Sequence, residues 1–168
     1  MTSSRPDPKN SDWDNIDYWN ERIKSVVGGS IPIIIEKVSL DEVILSLEVD
    51  YRSHQPSGIL HGGISVLLAE TAASIAAHRN TADNKRVVGL EINANHIRSV
   101  SKGNIYAIAV PVHVGRSTHI WSIKIVDEID QIICISRCTV AILDKNDDVI
   151  SEKFPEKYQI SKLKDNKL

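Results

Sequence analysis

Residues 64–77 run for fourteen positions without a proline or glycine, and every side chain but one is small or aliphatic. The exception is Glu70. A segment so long and so uniformly apolar predicts a helix about 21 Å long with protein on all sides. It is too short for the 18 or more apolar residues of a membrane span. Residues 31–38 and 43–50 read as strands before it, and 87–98, 104–114, 119–126 and 131–143 read as strands after it. Strands, one long apolar helix and four more strands without intervening helices predict an α+β fold, the helix packed on an antiparallel sheet. Ahead of the first strand, residues 13–27 carry apolar side chains at loose helical spacing. They predict a short packing helix, with Asp12 at its start and Gly28-Gly29 at its end.

The 168 residues suit one domain. The expected boundaries are a polar, proline-bearing extension over 1–12, the domain over 13–143, and a tail over 144–168 with 12 charges in 25 positions. Twenty basic against 22 acidic residues leave a formal charge of −2, without the positive field a nucleic acid requires. The first eight residues hold no apolar core of a signal peptide, so a cytoplasmic protein with no membrane partner is expected. Cys134 and Cys138 lie four apart on a predicted strand, roughly 13 Å from each other on one face. That is too far for a disulfide. Neither the cysteines nor the six histidines show zinc-site spacing, so no metal and no cofactor are expected.

Chemistry concentrates at the long helix. Gly62-Gly63 falls where the first helical N–H groups lack internal partners, a place that can hold an anion or a polarised carbonyl oxygen. A glycine-rich loop ahead of a helix is the plainer explanation. Glu70 must be neutralised, paired or functional in such surroundings. It is a candidate general base or nucleophile, with a structural ion pair or an interface as the alternative. Ser74 shares its face one turn on, and Thr71 lies beside it. Strand alternation places His96 on one face with Leu90, Ile92 and Ala94, towards the covered side. Arg98, Arg116 and Lys102 are candidates to hold a phosphorylated substrate, although strand ends often carry basic residues in solvent. Trp13, Trp19 and Trp121 read as core or interface anchors. The chain lacks a GxSxG elbow, a phosphate loop and GxGxxG.

The run Gln55-Pro56-Ser57-Gly58-Ile59-Leu60-His61-Gly62-Gly63-Ile64-Ser65-Val66-Leu67-Leu68-Ala69-Glu70-Thr71 resembles the hotdog-fold acyl-CoA thioesterases of the phenylacetic-acid-degradation type. A second run, Val88-Gly89-Leu90-Glu91-Ile92-Asn93-Ala94-Asn95-His96-Ile97-Arg98-Ser99, is similar to one branch of them. That branch contains the 1,4-dihydroxy-2-naphthoyl-CoA and siderophore proofreading thioesterases. The resemblance covers about residues 20–143. It implies a long central helix wrapped by a curved antiparallel sheet, in dimers that share active sites and pair into tetramers. It also implies that Glu70 is the catalytic carboxylate, facing Gln55, His61 and Gly62 of the opposite subunit. In that arrangement the Gly62 amide polarises the thioester oxygen, Gln55 positions the carbonyl or water, and His61 shapes the loop. Gly63, Thr71 and Ser74 would lie along the substrate, Ser74 near the acyl group, with His96, Arg98 and Ser99 on the CoA side. CoA would enter as part of the substrate. The segment Gly115-Arg116-Ser117-Thr118-His119 departs from the naphthoyl-CoA branch, where a small residue separates the glycine from the basic one. The alternatives are an acyl-CoA-binding module without turnover and a hydratase, whose Asp–His pair is not evident here.

Overall fold

A computed structural model describes residues 14–24, 26 and 30–145. The elements follow in the order α1 (Ile16–Lys24), β1 (Ile33–Val38), β2 (Val43–Val49), α2 (Gly62–Arg79), β3 (Lys85–His96), β4 (Gly103–Val114), β5 (Thr118–Asp127) and β6 (Ile132–Asp144). All six strands join one antiparallel sheet in the order β1-β2-β4-β5-β6-β3. The expected extension over 1–12, Trp13 and Gly28-Gly29 lie outside the described residues. At the other end β6 runs through Asp144, one residue past the expected boundary; Lys85 Nζ reaches its carboxylate at 2.7 Å. Positions 146–168 of the tail lie outside the described residues.

α2 is longer than the apolar run, because Gly62 and Gly63 form its first turn and Arg79 its last. Its alanines let the sheet approach closely, and Leu68, Ala69, Ala72, Ala73, Ala76 and Ala77 are fully buried. The sheet curls around them. One row of the helix-facing side runs Leu45, Ala107, Ile125, Cys134 and His96, each registered opposite the next. The first four are inaccessible and His96 at the edge is exposed. Alternation along β6 turns both thiols, Cys134 and Cys138, into this core as free, buried cysteines.

The alternation expected for β3 holds only in part. Gly89 pairs with Val140 and Glu91 with Thr139, so Leu90 is an extra residue in a bulge. One inserted residue reverses the parity of everything beyond it. Leu90 is consequently 62% exposed instead of sharing the covered face with Ile92 and Ala94, and His96, expected on that face as well, is exposed where the strand ends at the sheet edge.

The two sheet edges are treated differently. At β1 the Asn20 side chain from α1 acts as a short strand, its Nδ2 donating to Ile35 O at 3.1 Å and its Oδ1 accepting from Ile35 N at 2.9 Å. α1 begins with Asn15, whose Oδ1 accepts from Tyr18 N at 3.1 Å; Asp12, the expected cap, lies outside the described residues. Trp19 and Ile23 bury the inner face of α1. Arg79, at the end of α2, grips Asp14 in a two-pronged ion pair, Nη2 to Oδ2 at 2.8 Å. The outer edge of β3, twelve residues long and bearing exposed Val88 and Leu90, has no strand paired to it among the described residues. Such an edge is a template for another strand.

Candidate active site

The loop into α2 is held by its own backbone. Gly58, with φ +74°, closes a tight turn in which its N–H donates to Gln55 O at 2.9 Å and Gln55 N donates to Ile59 O at 2.8 Å. Two anchors fix this turn against the sheet: Leu60 N donates to Val100 O at 2.7 Å and His61 N to Ser53 O at 2.8 Å. Gln55 is thereby set beside the helix start.

His61 is the N-cap. Its backbone is extended, and its Nδ1 accepts from Gly63 N at 2.9 Å, which places the ring proton of the neutral form on Nε2. The His61 carbonyl takes the N–H groups of Ile64 and Ser65. Gly63 is thus committed to the cap, while the Gly62 amide has no hydrogen-bond partner among the described residues. Gly62 also makes room: a Cβ there would lie 2.9 Å from Nε2 of His96, so the imidazole rests against the bare helix start. Gln55, Gly62, Ser65, His96, Arg98 and Ser99 line a cleft of ≈ 280 Å³. The oxygen of a thioester carbonyl entering it can accept from the Gly62 N–H at the positive end of a helix.

Glu70 lies elsewhere. Eight residues further along α2, about 12 Å by helix rise, it borders a second hollow of ≈ 330 Å³ with Thr71 and Ser74. Its Oε1 leans on the backbone of β3, where a Cβ on Gly89 would come within 2.5 Å. No hydrogen bond or ion pair is made by Glu70 among the described residues, which removes the structural ion pair as its explanation there. Thr71 is largely spent on its own helix, its Oγ1 donating to Leu67 O at 2.7 Å. Burial, with the charges of Glu70 and Glu91 nearby, pushes the Cys138 thiol up to about 11, far from a thiolate nucleophile at neutral pH.

The sequence-predicted residues therefore fall into two groups. Gln55, Gly62, His96, Arg98 and Ser99 share the first cleft, and Glu70, Thr71 and Ser74 share the second hollow. His61 and Gly63 shape the first from behind, through the cap. Arg116 is exposed in the β4–β5 turn. Register places that turn at the Val88 end of the sheet, on the side of Gly89 and Glu70 and away from Arg98. The walls contributed by α1, Trp19 and Ile23, and the groups Arg22 and His78 were not among the predicted site residues. His78 was findable, since it lies eight positions after Glu70 on the same helical face. Among the described residues no group of three or more His, Cys, Asp or Glu is placed to hold a metal ion.

An apolar helix started by glycines, cradled in a curled antiparallel sheet and carrying one lone carboxylate, defines a hotdog-fold hydrolase. The sequence profile of the thioesterase superfamily matches residues 57–134. Over 116 residues the chain is 48% identical to a 1,4-dihydroxy-2-naphthoyl-CoA hydrolase of Listeria monocytogenes, covering 69% of this chain and 94% of that protein. The structure of a thioesterase from Haemophilus influenzae has a TM-score of 0.75 to this one at 37% identity, over 77% of this chain and 91% of that one. Two mutant structures of one Staphylococcus aureus protein, at 37% and 38% identity and TM-scores of 0.68 and 0.69, cover 70% and 71% of this chain and 98% and 99% of theirs. They replace a glutamine and a glutamate that are fifteen positions apart, the separation of Gln55 and Glu70 here. The chain belongs to the thioesterase superfamily and is a thioester hydrolase.

Proposed function

We propose that the chain hydrolyses acyl-CoA thioesters with an aromatic or medium-sized acyl group, 1,4-dihydroxy-2-naphthoyl-CoA among them, in a site completed by a second copy of itself. The observation that carries the reading is the separation of the two half-sites. The oxyanion donor of Gly62 and the carboxylate of Glu70 occupy different hollows of one chain, while the free edge of β3 passes from Gly89 beside Glu70 to His96 beside Gly62. Antiparallel pairing of two β3 edges brings the Gly89 end of one copy towards the His96 end of the other. Each cleft then gains a carboxylate. Pairing of such dimers into a tetramer and a cytoplasmic setting complete the proposal; no described helix is long and apolar enough to cross a membrane.

In this site the thioester oxygen takes the Gly62 N–H, and charge developing on it is stabilised at the positive end of α2. Gln55 orients the carbonyl or the water. Glu70 of the partner subunit either removes a proton from water as its oxygen bonds to the carbonyl carbon, or bonds to that carbon itself. In both cases the C–S bond breaks and CoA leaves as the thiol once protonated. On the nucleophilic route water then hydrolyses the resulting anhydride. Arg98 and Ser99 from one copy and Arg116 from the other supply donors for the CoA phosphates.

Release of free CoA from a panel of aromatic and aliphatic acyl-CoAs, wild type against Glu70→Ala, tests this. Turnover by wild type and a loss of roughly 100-fold or more in the variant are expected, with both proteins dimeric or larger by light scattering. Binding of acyl-CoA without turnover in wild type would make the chain a binding module instead.

A further inference from the structure

None of the steps above uses the hydroxyl of Ser65, and its own helix offers it no acceptor. A hydroxyl residue in a helix can return its proton to the carbonyl one turn back. Thr71 does so, Oγ1 donating to Leu67 O at 2.7 Å, and Thr81, just past the end of α2, donates to Ala77 O at 2.6 Å. For Ser65 that acceptor would be the His61 carbonyl. It already takes Ile64 N at 2.9 Å and Ser65 N at 3.4 Å, one for each lone pair. The Ser65 hydroxyl accordingly makes no hydrogen bond among the described residues. Ser65 is nonetheless only 1% exposed, and it lines the cleft of the Gly62 amide. A hydroxyl withdrawn from water in this way is costly until something arrives to pair with it.

Two donors without partners among the described residues thus border one cleft. Ser65 stands three residues after Gly62, about 4.5 Å further along the axis on the same side of the helix. Its side chain leans back towards the helix start. One oxygen at ordinary hydrogen-bond length can bridge donors up to about 6 Å apart. The His96 imidazole, resting against the bare Gly62, closes the space from the sheet side. We infer that the Ser65 hydroxyl is the second donor to the thioester oxygen, sharing it with the Gly62 N–H. The inference rests on the acyl-CoA reading above and adds a catalytic residue to it. As the carbonyl carbon becomes tetrahedral, negative charge gathers on this oxygen, and both hydrogen bonds strengthen. When the C–S bond breaks, the C=O bond re-forms and they weaken again. The hydroxyl keeps its proton throughout. A contact that strengthens in the transition state raises kcat and leaves KM little changed.

The test is steady-state hydrolysis of the best substrate in the acyl-CoA panel by Ser65→Ala and Ser65→Cys. Ser65→Ala should lower kcat by about 100-fold, the order lost with one oxyanion donor, while KM changes by less than about threefold. Ser65→Cys, with a weaker donor of similar shape, should fall between. The hydroxyl removed has no partner in the folded chain, so the thermal midpoint of Ser65→Ala should hold or rise. Affinity for a trifluoromethyl ketone analogue of the same acyl-CoA, whose oxygen becomes the tetrahedral one on addition of Glu70 or water, should fall in step with kcat. A kcat within about threefold of wild type, a loss confined to KM, an unchanged affinity for the ketone, or a midpoint that falls together with kcat overturns the inference. If wild type hydrolyses no acyl-CoA, the hydrolytic reading fails by itself. Calorimetric affinities of the ketone then decide the donor: weaker binding by Ser65→Ala keeps it, and equal binding overturns it.

Discussion

At the residue scale the most consequential position is one without a side chain. Gly89 does not occupy the left-handed region, so alanine is conformationally acceptable there, yet its Cβ would lie 2.5 Å from Glu70 Oε1. Gly89→Ala should leave the thermal midpoint unchanged or slightly raised, since alanine restricts the unfolded chain. It should lower kcat by about 100-fold, the order expected when a reacting group is displaced by an ångström or so. Differential scanning fluorimetry beside steady-state kinetics separates the two effects; a parallel loss of stability would refute them. His119 carries a second residue-scale prediction. It is 2% exposed, and among the described residues neither its Nδ1 nor the neighbouring Trp121 Nε1 has a hydrogen-bond partner. Burial lowers its proton affinity below the ordinary value of 6.5, only partly offset by a hydrogen bond at Gly115. The unfolded chain therefore binds the proton more readily, and stability present above about pH 6.5 declines as the pH falls through that value. Urea titrations between pH 7.5 and 5 should show this slope in wild type and a shallower one in His119→Phe.

At the scale of elements, α1 decides whether the hollow beside Glu70 has a wall. It is nine residues long, too short to be stable alone, and is kept in place by tertiary contacts. The paired hydrogen bonds of Asn20 to Ile35 fix its distance from β1, and Asp14 ties its entrance to Arg79. Asn20→Ala should cost about 1–3 kcal/mol, from two hydrogen bonds and an edge carbonyl and amide left to water. If α1 is the acyl wall, KM for bulky acyl-CoAs rises in this variant more than KM for acetyl-CoA. Equal rises would mean that α1 only stabilises the fold. The α1 helix itself was legible from the spacing of Trp19 and Ile23, but its docking was not. Asn20 and Ile35 are fifteen residues apart, and Asp14 and Arg79 sixty-five, so nothing local marks them as partners.

For the whole molecule, the asymmetry between a capped β1 edge and a β3 edge with no strand paired to it among the described residues is what points the proposed dimer to β3. Leu90→Lys places a charge on the bulge of the open edge, the device by which strands avoid pairing. A shift to monomer in light scattering is expected, with hydrolysis lost although Glu70 and Gly62 are intact; a dimer with full activity would exclude β3 as the shared edge. The sequence by itself determined the central helix, the six strands around it, the glycine pair at the helix start and the isolation of Glu70. Each of these is written in contiguous residues, as apolar runs, alternation, or a charge where water is excluded. Only the tertiary structure decided that Leu90 leaves the covered face, that Gly89 makes room for Glu70, that His61 caps the helix, and that Gly62 and Glu70 open into different hollows. Those outcomes depend on register and packing between segments far apart in the chain, and a one-residue bulge is enough to reverse which side chains meet.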